Sequence, residues 1–206
     1  MKSTFFCVAL LLFTFSMAQA QDTQATTSRG ERVILHSDGT WSKAEDVPLM
    51  NGGNFTTPAA AKTVLKGKNV KYSLAYDAAK WSIQPESSNA DADYELVHSG
   101  GDGYAIIIAE KVVLSAEVLR QAAIANAREA SPDAAIVHED ERTVNGNTIR
   151  CLKINGTVDG VPVSYYNYYY TGKEGAVQII TFTGQDSLAD YEKDFIDFLN
   201  GFAVSQ

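Results

Sequence analysis

Cysteine is scarce: the chain of 206 residues holds two, Cys7 in an apolar N-terminal run and Cys151. If residues 1–20 are removed, one thiol is left and no internal disulfide forms, so the fold must rest on its core. A lone cysteine reads first as a small buried apolar side chain and second as a nucleophile. Catalytic signatures are missing as well. There is no Gly-x-Ser-x-Gly elbow, phosphate-binding Gly-Lys loop, His-Glu-x-x-His, paired Cys-x-x-Cys or Gly-x-Gly-x-x-Gly, so no catalytic residue and no cofactor is expected. Histidine is limited to His36, His98 and His138, and a zinc site would have to recruit carboxylates from scattered positions. Asp91, Asp93 and Glu95 lack the glycine and distal glutamate of a calcium loop and read as a solvated acidic stretch, so no metal site is expected. Positive charge is also short, with 17 Lys and Arg against 25 Asp and Glu and a net charge of −8. Such a chain repels phosphate backbones and anionic membranes. The densest basic group, Lys62, Lys66, Lys68 and Lys71, sits in or beside a segment of linker composition, and no nucleic-acid partner is expected.

What the chain does have begins at its N-terminus. Lys2 precedes an apolar run from Phe5 to Phe15, and Ala18-Gln19-Ala20 supplies the small residues of a cleavage site, which predicts a signal peptide over residues 1–20. The run is too short for a bilayer span of roughly 20 residues. Export to the periplasm or the medium follows, without stable membrane insertion after cleavage. Residues 21–69 read as a disordered leader, a short strand-turn element and a linker. The leader, 21–30, is rich in Gln, Thr and Ser. Val33 to Leu35 and Ser37-Asp38-Gly39-Thr40-Trp41 suggest a strand, a tight turn and a returning aromatic. Ser42 to Lys68 carries Pro48, Gly52-Gly53 and Pro58 with little periodicity, the composition of a linker.

Residues 70–206 form the expected domain. Tyr72 to Tyr76 and Trp81 to Ile83 are short strand-like pieces, and Tyr94 to His98 and Tyr104 to Ala109 form a strand pair across Gly100 to Gly103. Ser115 caps a helix to about Ala130, with an expected inner face through Val118, Leu119, Ala122, Ala123 and Ala130. Asn126 falls on that face, either as a satisfied buried amide or as a sign of a different phase. Four strands follow, 135–144, 148–158, 161–170 and 176–183. Asn145-Gly146 and Asp159-Gly160 separate the first three, the residue pairs that type I′ hairpin turns require. A final helix from Ser187 to about Asn200 places Leu188, Tyr191, Phe195, Phe198, Leu199 and Phe202 on one stripe, with Asp190, Lys193, Asp194 and Asp197 opposite.

The resulting order is strand pair, helix, four-strand meander, helix. With Trp81, Arg142-Thr143-Val144-Asn145-Gly146, Tyr168-Tyr169-Tyr170 and the helix from Tyr191 to Phe202, it resembles the PsbP and Mog family of exported proteins. That resemblance implies an α+β fold, an antiparallel sheet flanked by helices, with no activity common to the family and several adaptor or assembly roles. The Val-x-Leu-x-x-Asp-Gly-Thr-Trp run at 33–41 is similar to a short element near the start of many exported bacterial proteins.

Counting back from the two hairpin turns sets the register of the meander. One face carries Val137, Ile154 and Tyr165, then Leu152 and Asn167, with Glu141 across from Arg150. The other carries His138, Lys153 and Tyr166 in one row, Asp140, Cys151 and Tyr168 in the next, and Arg142, Ile149 and Tyr170 beyond. This second face has two readings. It is a sheet face partly covered by a helix, or a binding surface in which His138, Asp140, Lys153, Tyr166, Tyr168 and Tyr170 contact an envelope protein or small ligand. The expected function is a non-catalytic exported module. The competing one is a hydrolase or transferase whose site assembles around His138, Asp140 and Cys151.

Overall fold

The computed structural model describes residues 23–26, 32–35, 39–43 and 49–204. The signal peptide expected over 1–20 lies outside the described residues. The chain divides into two units, residues 1–45 and 46–206.

In the first unit, β1 (Thr23–Thr26), β2 (Arg32–Leu35) and β3 (Trp41–Lys43) form a three-stranded sheet in that order. Leu35 pairs with Trp41 across the antiparallel β2–β3 step. Gly39 supplies the positive φ of +84° between them. Within the leader expected to be disordered, Thr23–Thr26 form β1, and the rest of 21–30 lies outside the described residues. The two threonines of β1 favour extended backbone, and β2 offers them a paired edge.

The second unit begins with β4 (Met50–Phe55), β5 (Thr63–Lys66), β6 (Tyr72–Tyr76), β7 (Trp81–Ile83), β8 (Ala92–His98) and β9 (Tyr104–Glu110). Helix α1 (Ala116–Ala130) follows, its first turn closed by the Ser115 hydroxyl accepting from the Val118 amide. Next come β10 (Ala135–Val144), β11 (Asn147–Val158), β12 (Val161–Gly172) and β13 (Gly175–Gly184), then α2 (Leu188–Leu199) and β14 (Phe202–Val204). Asn145 and Asp159 take φ of +48° and +50°, with Gly146 and Gly160 at +81° and +82°. These are the left-handed pairs that let a two-residue turn follow the strand twist.

Eight strands make one sheet in the order β4-β10-β11-β12-β13-β9-β8-β7, and β14-β6-β5 make a smaller one. Two hydrophobic clusters occupy the two faces of the large sheet. On one face Phe195, Phe198 and Leu199 of α2 and Tyr72, Leu74 and Phe202 of the small sheet pack on Ile107, Cys151, Tyr168 and Ile179. On the other, Leu119 and Ala123 of α1 pack on Leu152, Ile154 and Tyr169. Full burial of each large apolar side chain contributes about 1.5–3 kcal/mol.

Four sequence expectations are corrected here. The sheet is mixed, because β4 runs parallel to β10 while the other pairs are antiparallel. The segment expected as linker holds β4 and β5, both paired into sheets. These strands answer to distant partners rather than to a local apolar pattern. The inner face of α1 runs through Leu119, Ala123 and Ala127, with Ile124 beside it, while Asn126 and Val118 are exposed. Ala127 rather than Asn126 therefore continues the buried stripe, and the amide needs no buried partner. Phe202 belongs to β14 and not to the helix, though it is fully buried as expected.

Candidate functional site

The hairpin turns set the register of the second face as counted. His138 pairs with Lys153 and Lys153 with Tyr166; Asp140 pairs with Cys151 and Cys151 with Tyr168; Arg142 pairs with Ile149. Alternation along each strand puts these side chains on the face that α2 covers. The other face departs from expectation at one place. A bulge between Ile136 and His138 pairs Ile136, not Val137, with Ile154. Ile136 is buried and Val137 exposed, because the extra residue of a bulge is pushed out of the ladder.

Arg142 is the hub of the covered face. Its Nε donates to Asp140 Oδ1 at 2.6 Å, a second guanidinium nitrogen reaches Asp140 Oδ2, and Nη1 donates to the hydroxyls of Tyr168 at 2.9 Å and Tyr166 at 3.2 Å. Tyr168 passes the chain on, donating to Asn200 Oδ1 at 2.7 Å just beyond α2. His138 Nε2 meets Asp140 Oδ2 at 2.7 Å. The guanidinium also lies 5.0 Å from the Phe55 ring centroid and 5.2 Å from that of Tyr168, within cation–π range. Lys153 Nζ sits 4.7 Å over the Tyr166 ring and donates to Glu192 of α2.

The network is sealed rather than open. Asp140 is 2% exposed, Tyr166 4% and Tyr168 1%. Strand β4 closes its edge, for a Cβ built on Gly52 would fall 2.1 Å from Asp140 Oδ1. Burial pushes the Asp140 carboxyl up, and hydrogen bonds from Arg142 and His138 more than reverse this, holding it below the usual carboxylate range. Burial works against the charge on Arg142, yet its hydrogen bonding to Asp140 raises its pKa above the ordinary value. Cys151 is fully buried, and desolvation pushes its thiol up to about 12. At neutral pH it is a protonated packing group.

Of the two readings of this face, the partly covered one describes Asp140, Tyr166 and Tyr168. Tyr166, Tyr168 and Asp140 lie beneath β4 and α2, and only His138, Lys153 and Tyr170 keep partial exposure. The residues expected to share a face do share it. Their burial was set by two elements packing from a distance, which register cannot report.

Three features escaped the sequence reading. Glu139, buried on the opposite face, is held by Arg120 Nε at 2.7 Å and by Arg150 at 2.5 Å, so Arg150 serves Glu139 more closely than the expected Glu141 at 3.9 Å. Asp194, assigned to the solvated side of α2, accepts from His98 Nε2 at 3.0 Å and pairs with Lys80. Strand β4 borders an open groove of about 450 Å³ lined by Leu49, Met50, Asn54, Glu141 and Thr148 among others. Among the described residues no group of three or more His, Cys, Asp and Glu could hold a metal ion, and no helix is long and apolar enough to cross a membrane.

No family model and no curated protein matches the chain. Solved structures do match. The solution structure of cyanobacterial PsbP (CyanoP) from Synechocystis sp. PCC 6803 superposes with a TM-score of 0.56 at 13% identity, covering 72% of this chain and 95% of that one. LpqN, involved in cell envelope biogenesis of Mycobacterium tuberculosis, gives a TM-score of 0.45 at 12% identity over 70% of this chain and 90% of its own. A Pseudomonas aeruginosa protein of unknown function gives 0.44 at 14% identity over 70% and 96%. At these identities the first likeness establishes a PsbP-like α+β fold and nothing about chemistry.

Proposed function

We propose that the chain is an exported, non-catalytic module that binds a protein or small ligand at the bacterial cell envelope. One observation carries the reading. The groups that could seed a reaction, His138, Asp140 and Cys151, are committed to each other's neighbours, with Asp140 engaged by both Arg142 and His138 and Cys151 sealed with its thiol pushed up to about 12. A nucleophile needs a reachable, deprotonatable atom, and Cys151 offers neither. The partly exposed rim formed by His138 and Lys153, with Glu192 beside Lys153 and Tyr170 further along the face, supplies the contact surface in this reading. Asp140, Tyr166 and Tyr168 support it from below. Relationship to the Mog proteins, the short Asp-Gly-Thr-Trp element and cleavage after Ala20 belong to the same proposal, and intact mass from the native host checks the cleavage.

The functional test is capture from an envelope fraction by the wild-type chain and by a His138→Ala, Lys153→Ala double variant, with thermal midpoints measured in parallel. The reading expects a specific partner that the double variant loses while its midpoint stays close to wild type. Undiminished capture by the double variant removes the rim as the site. Substrate turnover abolished by His138→Ala in a folded protein supports the enzyme instead.

A further inference from the structure

We infer that a second site, away from the tyrosine face, binds a phosphate-bearing anion in the cleft between Lys71, Lys111 and Lys173. The cleft has a volume of about 390 Å³ and is also lined by Asn69, Val113 and Glu174. Its three lysines come from three separate segments: the loop before β6, the residue after β9, and the turn joining β12 to β13. All three are exposed, and none has an ion pair among the described residues, whereas Lys80, Lys153 and Lys193 each meet a carboxylate. In a chain with a net charge of −8, three cations gathered at one cleft without an ion pair among the described residues run against the background. Glu174 at the same cleft offsets one of them, leaving a local excess of positive charge.

The packing beneath fixes the gathering. Val70 is 1% exposed. A Cβ built on Gly175 would meet Glu110 O at 2.3 Å and Val70 Cγ2 at 3.0 Å, and Glu110 pairs with Ala176 in the sheet. Val70, Glu110 and Gly175 thus meet at one tight point, and each is within two residues of one lysine. Gly175 sits at φ +136°, a conformation that a side chain resists. The ammonium groups are long and mobile, but their anchors are set before any ligand arrives, which lowers the ordering cost of binding.

The choice of anion follows from the donors. Among the described residues no arginine lines the cleft, so there is no planar fork to hold an anion in two places. Lysines act as point charges with freely turning donors, which suits the tetrahedral, multiply charged oxygens of a phosphate. A free phosphate ester and a phospholipid headgroup present the same chemistry.

The test uses the full chain and two probes, inorganic pyrophosphate and vesicles of phosphatidylcholine with or without phosphatidylglycerol. Backbone resonances of Lys71, Lys111 and Lys173 are followed with pyrophosphate, and co-sedimentation is followed with vesicles. Saturable shifts at these residues, or sedimentation that needs phosphatidylglycerol, are expected. Either should weaken about tenfold or more in a Lys71→Ala, Lys111→Ala, Lys173→Ala variant and at raised salt, since exposed charges are screened. The thermal midpoint should hold, and Lys62→Ala should bind as wild type. A response to pyrophosphate identifies a soluble phosphate as sufficient, and a response to vesicles alone identifies the headgroup surface. Binding of neither probe, binding that survives the triple substitution, or an equal loss in Lys62→Ala overturns the inference. Loss of the rim partner in the earlier experiment leaves this result untouched, because the two sites share no residue.

Discussion

Arg142 is buried with several hydrogen bonds and three aromatic rings around it, so its removal strands Asp140 as an uncompensated charge. Breaking one side of a buried pair costs about 3–5 kcal/mol, a large share of a typical domain stability of about 5–15 kcal/mol. Arg142→Ala should therefore lower the denaturation midpoint severely, as read by urea titration. An unchanged midpoint means the pair is not buried in solution. Asp140 also makes a pH prediction. Its folded pKa is depressed, so its contribution is present above the unfolded value of about 3.9 and is lost as pH falls through the folded value. Asp133, Asp194 and Glu95 are shifted in the same direction. Stability should hold from neutrality to about pH 4 and then fall. Asp140→Asn should be less stable at neutrality and lose less on acidification. Equal losses in the two proteins remove Asp140 from the account.

At the scale of elements, β4 is the decisive piece, because it lays Gly52 against Asp140 and Phe55 against Arg142. Gly52→Ala forces a methyl group to within 2.1 Å of Asp140 Oδ1 and 2.7 Å of Cγ. Overpacking of this kind typically costs about 1–3 kcal/mol. Thermal unfolding should show the loss, while Gly53→Ala, whose Cβ meets nothing within 4 Å but whose φ is +88°, should suffer backbone strain without disturbing the Asp140 network. The same element marks the boundary of what the sequence discloses. The hairpins could be read because Asn145-Gly146 and Asp159-Gly160 fix turn type and hence register, which put His138, Lys153 and Tyr166 in one row. The reading slipped at Val137 because nothing local announces a bulge. It missed β4 because Met50 to Phe55 has no apolar alternation, and its strand character comes from parallel pairing with β10, far along the chain. Coverage of the tyrosine face by a helix was one of the two sequence readings, whereas the part β4 plays at its edge, with Gly52 against Asp140, had no local signal.

On the scale of the whole molecule, the second unit has its own two cores and includes β4 and β5. A chain beginning at Asp46 should unfold in one cooperative transition. One beginning at Val70 should lose stability and expose Asp140, because β4 and β5 are gone. If both unfold alike, the paired strands contribute nothing to the unit and the linker reading returns.

The proposed function rests on Asp140, Arg142 and Cys151 forming a sealed strut rather than a reactive site. Native-state labelling of Cys151 tests it most directly, in a chain carrying Cys7→Ser so that one thiol remains. With the thiol fully buried and its pKa pushed up to about 12, no labelling is expected at neutral pH until denaturant unfolds the protein, after which one thiol per chain should react. Rapid stoichiometric labelling of the folded protein would contradict the account, since it would place a reachable nucleophile beside His138 and Asp140.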